Sequence, residues 1–573
     1  MTCSLIFLPG TLYIQVKPRR MFRSFLGLIL MIPCFSLFSQ EYYYQNPILP
    51  GSYPDPSICL VNDTFYMVNS SFEYFPGLPI HKSTDLVQWS WAGNGLHRAE
   101  QCTGPVNLVD VQTNGGIHAP TIRFHDGWFY IITTNVYYRE QDQETDFVNF
   151  IIRSKRAEGP WSDPIVIEGA PGIDPDIFFD DDGKVWYTGT HVPDNPNFSG
   201  EGEIWMQELD AESFQLKGER HFLWRGACQG TWAEGPHIYK AYGKYYLLIA
   251  EGGTSFNHAV MIAVSDAITG PYVPNDRNPI FTARHLSYDH WVHSLGHADL
   301  IQLPDSSWQM VCLGVRGDID RGSNMGRETH LFPVQWEQEP FEWKSERYYW
   351  PVVSAATGKA EKSYTAPLLD RRLSNVQGFK DEFNTKDWAP DWNFRRVPDP
   401  TYFERQAKQG ILRIDGQSGF QNRGRSSWVG IRQAQSDFYW EIKIDAVRLE
   451  ANGQVGTALV QKDDNYLLLS MTQKGNQNYV QVWANSRDKT KELVFEQEME
   501  YKQGPIWFYI DSWADTYQLS YGFQEGEKIP LYSCRADQWI SKGYTGAYLG
   551  LYVEGVGTRG DFDYAQATFF KRP

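Results

Sequence analysis

A unit of about sixty residues recurs five times in this chain, and no other feature limits its fold so strongly. In each unit a turn signal precedes an aromatic, β-branched run: Asn62-Asp63-Thr64-Phe65-Tyr66, Asp126-Gly127-Trp128-Phe129-Tyr130, Asp182-Gly183-Lys184-Val185-Trp186, Tyr242-Gly243-Lys244-Tyr245-Tyr246 and Asp305-Ser306-Ser307-Trp308-Gln309. The anchors at 63, 126, 182, 242 and 305 lie 63, 56, 60 and 63 residues apart. Turn residues between two β-like runs read as a hairpin. A further strand follows, as at Phe150-Ile151-Ile152-Arg153 and Val260-Met261-Ile262-Ala263-Val264. Several units close on a turn with an aromatic lid, Gly159-Pro160-Trp161 or Gly270-Pro271-Tyr272. A repeated unit of about four strands is the blade of a β-propeller. The chain is therefore expected to be all-β, with a five-bladed β-propeller over residues 45–350. A large sandwich with coincidental spacing is the competing fold.

Beyond the repeat, residues 351–380, including Ala355-Ala356-Thr357-Gly358-Lys359, lose the blade pattern and read as a linker. Alternation returns over residues 381–573, for example in Phe438-Tyr439-Trp440-Glu441-Ile442, Tyr479-Val480-Gln481-Val482-Trp483 and Ala547-Tyr548-Leu549-Gly550-Leu551. Strands of this kind predict a C-terminal β-sandwich of jelly-roll type. Three roles stand open for it: a cap on the propeller, with the 553–560 loop the candidate for closing a pocket, a carbohydrate-binding module, or a stabilising partner.

Composition narrows the function. A net charge of −17 and a pI near 5.3 argue against a nucleic-acid binder, which needs a basic footprint. Aromatic residues make up 15 % of the chain, which suits β packing and also suits surfaces that stack on sugar rings. At the N-terminus, Arg19, Arg20 and Arg23 precede an apolar run over residues 25–38, then Ser39-Gln40-Glu41. A basic start, a short apolar run and a small residue before a polar segment predict a signal peptide over residues 1–39. Met21 is an alternative start. The run is too short to span a bilayer, so the mature chain is expected to be exported, periplasmic or secreted, with no membrane span. The five cysteines that remain, Cys59, Cys102, Cys228, Cys312 and Cys534, show neither zinc spacing nor a disulfide framework.

Eight residues before each anchor stand Asp55, His118, Asp174, Glu234 and His297. If the blades superpose, these five side chains form a ring at one mouth of the central channel. Three carboxylates and two histidines in one place are costly to desolvate, and such clusters serve sites. The chemistry they suit is glycoside hydrolysis, in which one carboxylic acid protonates the leaving oxygen and one carboxylate activates water or attacks carbon. Glu234 is the candidate acid because its longer side chain reaches further and Trp232 nearby would desolvate it and raise its pKa. Asp55 is the candidate base, and Asp174 would separate their pKa values by like-charge repulsion.

Tyr53-Pro54-Asp55-Pro56-Ser57, Ile173-Asp174-Pro175, Trp232-Ala233-Glu234-Gly235-Pro236 and Gly296-His297-Ala298-Asp299 resemble the signature segments of glycoside hydrolase family 43. So do Ser71-Phe72-Glu73-Tyr74-Phe75-Pro76-Gly77, Gly115-Gly116-Ile117-His118-Ala119-Pro120 and Gly326-Arg327-Glu328-Thr329. Together they are similar to the branch of exo-acting β-xylosidases and α-L-arabinofuranosidases. The resemblance implies an inverting mechanism with Asp55 as general base, Glu234 as general acid, and Asp174 raising the acid's pKa and orienting it. It also implies that Phe72 walls the terminal sugar, that Arg327 binds its hydroxyls, and that no cofactor is required. His297 matches a histidine that in many relatives lies in the channel near calcium, so a structural calcium ion beside it is a further expectation. Asp180-Asp181-Asp182-Gly183 falls on a blade hairpin and reads as an ordinary turn. Many β-xylosidases of this kind carry Trp where this chain has His118, which alters the wall of the sugar pocket. The expected activity is therefore removal of terminal α-L-arabinofuranosyl residues from hemicellulose, arabinoxylan or xyloglucan. A β-1,4-xylosidase or bifunctional enzyme comes second, and a non-catalytic glycan-binding propeller third.

Overall fold

The structure, a computed structural model, describes residues 41–572 apart from 320–321, 344–345, 369–375, 421–422, 424, 487–489, 502 and 541–544. The signal-peptide reading of residues 1–39 lies outside the described residues. Five antiparallel sheets, each mainly of four strands, carry the sixty-residue repeat. The first blade comprises Ser57–Val61, Thr64–Val68, Gly77–Ser83 and Ser90–Leu96, and the second Gly116–His125, Trp128–Arg139, Glu144–Ser154 and Ile165–Val166. The third runs Ile173–Phe179, Val185–His191, Glu203–Leu209 and Leu216–Trp224. The fourth runs Glu234–Ala241, Lys244–Glu251, Ala259–Ser265 and Val273–Pro274, with Phe281–Thr282 also on its third strand. The fifth runs Val292–Gln302, Trp308–Arg316, Arg327–Trp336 and Pro351–Val353. All five predicted turn anchors join the first and second strands of their blades.

The last strand corrects the sequence reading. Pro351–Val353 pairs with Val334, Gln335 and Trp336, so the stretch read as a linker begins inside the fifth blade. Further on, Ser363–Thr365 pairs with Tyr43–Gln45. Three-residue strands are too short to show a period of two, and alternation therefore missed both. The N-terminal segment also closes the propeller. Asn46 donates through Nδ2 to the carbonyl of Leu331 at 2.9 Å and accepts its N–H at 2.9 Å, stitching the segment before the first blade to the fifth.

Four of the five inner strands are irregular near their first residues, the exception being Ser57–Val61 of the first blade. In the second, third and fourth blades the pairing jumps from His118 to Thr121, from Ile173 to Asp176 and from Glu234 to His237. A bulge at this point re-aims side chains toward the axis. The chain passes through the left-handed region at Asp55 (φ 51°), Ala119 (φ 42°), Asp174 (φ 55°), Gly235 (φ 59°) and His297 (φ 46°). For the non-glycine residues this costs about 1 kcal/mol or more each, and strain of that kind collects at functional sites.

Below this level a polar hub joins all five blades. Asp299 of the fifth blade accepts from Ser57 Oγ (2.8 Å), the Ile58 N–H (3.0 Å), Arg123 Nη1 (2.9 Å) and Tyr239 Oη (2.5 Å). Arg123 also donates to Asp176 of the third blade at 3.0 Å. Asp176 and Asp299 are wholly buried, and their paired charges across the axis hold the ring of blades. Burial would raise Asp299, but Arg123 and the other donors drive it far below the ordinary carboxylate value.

The C-terminal region is a sandwich of two eight-stranded sheets. One of them takes in Tyr74–Phe75, a piece of the propeller, which pairs with Asn393–Arg395. Two loops at the mouth are fastened here. Glu73 receives Arg395 Nη2 at 2.9 Å with both side chains fully buried, and Tyr74 stacks on Tyr548 with ring centres 4.0 Å apart. On the other side, the Ala547 N–H donates to Asn324 O at 2.7 Å, three residues before Arg327. The 553–560 loop, expected to approach the pocket, instead bonds within the sandwich to Gly416, Gln417 and Glu450. The residues just before Tyr548–Glu554 touch the propeller instead: Thr545 Oγ1 donates to Asn114 Oδ1 at 2.7 Å, beside the bond from Ala547 to Asn324.

Candidate active site

Asp55, immediately before the first inner strand, is the best-connected member of the ring. It is 4 % exposed, and burial alone would raise its pKa. Its partners together reverse that: Arg327 Nη1 lies 3.0 Å from Asp55 Oδ1, and Ser70 Oγ donates to Oδ2 at 2.6 Å. The net result is a carboxylate held below its ordinary value and ionised at neutral pH. Ser70 is itself fixed by the Ala119 N–H at 2.7 Å, so the second blade orients the carboxylate of the first.

Glu234 opens the fourth inner strand and lines the same mouth, half-buried. Burial raises its pKa well above the usual value, and the neighbouring charges of Asp174 and Asp55 raise it further. Asp174 is raised to about 7 by burial and by Asp55, while the Gly235 N–H, donated at 3.0 Å to its Oδ2, pulls it back. That N–H favours the ionised form of Asp174, and of the two carboxyls Glu234 is the one raised further. The mouth thus holds one carboxylate kept charged and one carboxylic acid kept neutral, separated by environment as acid–base catalysis requires.

The wall beside them is aromatic and cationic. Phe72 is held by two backbone hydrogen bonds with Ile117, each 3.0 Å. The Arg327 guanidinium lies 5.3 Å from its ring centre, and His118 meets the ring edge-on at 4.9 Å. The carbonyl of Gly116 lies 3.0 Å from His118 Nδ1, which therefore carries the proton and leaves Nε2 as an acceptor. Burial lowers the pKa of His118 and keeps it neutral. His297 packs over Gly235, is lowered to about 4 by burial, and has its Nδ1 3.9 Å from Asp55. It is an uncharged neighbour of Asp55 at neutral pH.

The expected calcium ion finds no protein donor set here. Calcium takes six to eight oxygens, whereas Asp55, the carboxylate beside His297, is committed to Arg327 and Ser70. Among the described residues no three His, Cys, Asp or Glu side chains come together as ligands. Asp180 spends its carboxylate on Lys240 and Tyr245 across to the fourth blade, as an ordinary hairpin residue would.

The structure thus brings together all seven singled-out residues, Asp55, Phe72, His118, Asp174, Glu234, His297 and Arg327. Sequence reasoning missed Ser70, which carries no signal of its own, and the hub beneath. The hub did have a signal: Ser57, Asp176 and Asp299 each follow a ring member by two residues. Five inner strands that bring three carboxylates and two histidines to one mouth decide the family. The chain belongs to glycosyl hydrolase family 43. The glycosyl hydrolases family 43 pattern matches residues 44–341, and that of the beta xylosidase C-terminal concanavalin A-like domain matches residues 380–570. A family 43 chain is a glycoside hydrolase, and this one is similar along nearly its whole length to others. It is 36 % identical to a xylosidase/arabinosidase of Butyrivibrio fibrisolvens, over 92 % of this chain and 98 % of that protein. It is 33 % identical to a non-reducing end alpha-L-arabinofuranosidase of Bacteroides ovatus, over 91 % and 94 %. Among solved structures, a Bacteroides ovatus family 43 protein of a xyloglucan locus superposes with a TM-score of 0.80 at 32 % identity, covering 92 % of this chain and 99 % of that one. The xylan beta-1,4-xylosidase of Bacillus halodurans gives 0.82 at 27 % identity, over 91 % and 99 %.

Proposed function

We propose that this glycoside hydrolase removes single pentoses from the non-reducing ends of plant hemicellulose with inversion, and that α-L-arabinofuranosyl side chains of arabinoxylan or xyloglucan are its preferred substrates. The observation that carries the reading is the opposition of an ionised Asp55, paired with Arg327, to a protonated Glu234 in one mouth. Asp55 takes a proton from water, and the hydroxide so formed attacks the anomeric carbon. Glu234 gives its proton to the glycosidic oxygen as the bond to carbon breaks. Both events belong to one displacement, so the product has the opposite anomeric configuration. Asp174, anchored by the Gly235 N–H, keeps the acid neutral until it is used and holds its position. Phe72 and His118 form the wall of the terminal-sugar site, and Arg327, held against Asp55 and over the Phe72 ring, is the cation beside its hydroxyls.

The preference for arabinofuranose rests on His118, whose small polar ring leaves room beside Phe72, and on the named activities of the relatives. A β-xylosidase activity on the same site is the second reading, supported by the same relatives. The basic and apolar residues before Ser39 support export to the periplasm or beyond. N-terminal sequencing of the protein recovered there is expected to start near residue 40, and retention of residues 1–39 would reject that part. For the chemistry, release of p-nitrophenol from the α-L-arabinofuranoside should outpace release from the β-D-xylopyranoside. The first-formed sugar seen by NMR should be the inverted anomer. Negligible rates on both substrates, or a retained anomer, would overturn the assignment.

A further inference from the structure

Trp232 stands two residues before Glu234 and has no business in a core. Its side chain is 47 % exposed, yet its backbone lies in the left-handed region at φ 60°, which a bulky residue adopts only under constraint. The constraint is visible on every side. Its N–H donates to Gly200 O at 2.6 Å, and Gly252 N–H donates to Thr231 O at 2.7 Å. Ala233, which follows, has its carbonyl held by Thr190 Oγ1 at 2.6 Å. The loop upstream is gathered by one carboxylate: Glu251, 1 % exposed, accepts the N–H groups of Ala227 (3.0 Å), Cys228 (3.1 Å) and Gly230.

The ring itself rests on bare backbone. A Cβ added to Gly253 would come 2.8 Å from Trp232 Cδ1, and one added to Gly200 would come 3.2 Å from its Cε2. The loops after the second strands of the third and fourth blades therefore approach the indole as only glycine allows. Strain, two glycine contacts and a buried carboxylate together fix an aromatic face that remains open to solvent. Nothing in packing requires this; a flat surface held in water beside an acid is what a sugar ring stacks on.

Resting on the hydrolytic reading above, we infer that Trp232 is the platform for the leaving sugar and that this sugar is a xylopyranosyl residue. Glu234 protonates the oxygen that joins the two sugars, so the departing unit lies on the side of Glu234. A xylopyranose chair carries its hydroxyls equatorially and turns flat C–H faces up and down, which match an indole face. A puckered furanose has no such face. An arabinosyl branch on xylose and a xylosyl end on xylose share this leaving unit, and one platform therefore accommodates both of the activities under discussion. Glu251 acts through the loop as a positioning residue.

The test compares two glycosides of the same terminal pentose, one linked to xylopyranose and one to methanol, which has no ring to stack. In Trp232→Ala the ratio of kcat/KM for the xylose-linked over the methyl substrate should fall by about tenfold or more, mostly through KM. Trp232→Phe should recover part of the ratio, and it serves as the readout where Trp232→Ala does not fold. Glu251→Gln should lower the ratio in the same direction. A ratio unchanged in Trp232→Ala, or both substrates lost in proportion, would overturn the inference. Wild-type enzyme that cleaves neither substrate would instead reject the hydrolytic reading on which it rests.

Discussion

Replacing Arg327 by Met should move the acid side of the pH–activity profile upward. Asp55 must be ionised to accept a proton from water, so its pKa sets that limb. In the wild type Asp55 is held below the ordinary carboxylate value, because Arg327 and its other neighbours together more than offset its burial. The pair is 3.0 Å apart, with side chains 7 % and 5 % exposed. At an effective dielectric of about 20, that separation gives an attraction of about 5.5 kcal/mol, or about four pH units. Ser70 still donates to Asp55 in the variant, and water fills the space of the guanidinium, which brings the expected displacement to about 1–3 pH units. The sign follows from charge: without the cation the carboxylate is harder to ionise, and a higher pH is needed for activity. Arg327 also lowers Glu234, so the basic limb should rise with the acid limb and the whole bell shift upward. The measurement is kcat/KM against pH on an aryl glycoside for the wild type, Arg327→Met and Arg327→Lys. Arg327→Lys, which keeps a charge but not the fork, should lie between the other two. An acid limb for Arg327→Met within about 0.3 pH units of the wild type would refute the account of Asp55.

Glu234→Gln should lower kcat by about 10²–10⁴, with the greater loss on xylose-linked substrates because p-nitrophenolate leaves without a proton. Asp174→Asn should move the basic limb down, opposite to Arg327→Met, since a negative neighbour that raises Glu234 is removed; an unmoved limb would deny Asp174 that part. Asp299→Asn should destabilise the protein by about 3–5 kcal/mol in denaturant unfolding, because its amide turns a donor toward a site where four donors already converge. The folded pKa of Asp299 is depressed, so its contribution is present above the unfolded carboxylate value and lost as pH falls. The variant should therefore lose less stability than the wild type between neutral and acid pH.

The number of blades, the turns that anchor them and the acids at their mouth could all be read from the chain. Each blade repeats the same local demand: a turn at one end of a hairpin, and a costly polar residue at a constant offset from it. Local rules of this kind survive in sequence because period-two alternation and turn chemistry act over a few residues. The register at the mouth did not survive in that way. The left-handed residue is Asp55, Asp174 or His297 itself in three blades, but the residue after His118 and after Glu234 in the other two. A constant spacing of eight concealed that difference of one, which only the bulges reveal.

What the chain determined alone was therefore the architecture and the candidates for the reacting groups. What tertiary structure decided was their state: which carboxyl is charged, which is neutral, and which residues hold them so. Arg327 reaches Asp55 across 272 residues, and Arg395 fastens Glu73 across 322. Protonation depends on burial and on the charges within a few ångströms. Neither is a property of neighbours in sequence; both arise only when five blades close on one axis and the sandwich clamps the loops of Phe72 and Arg327 beside it.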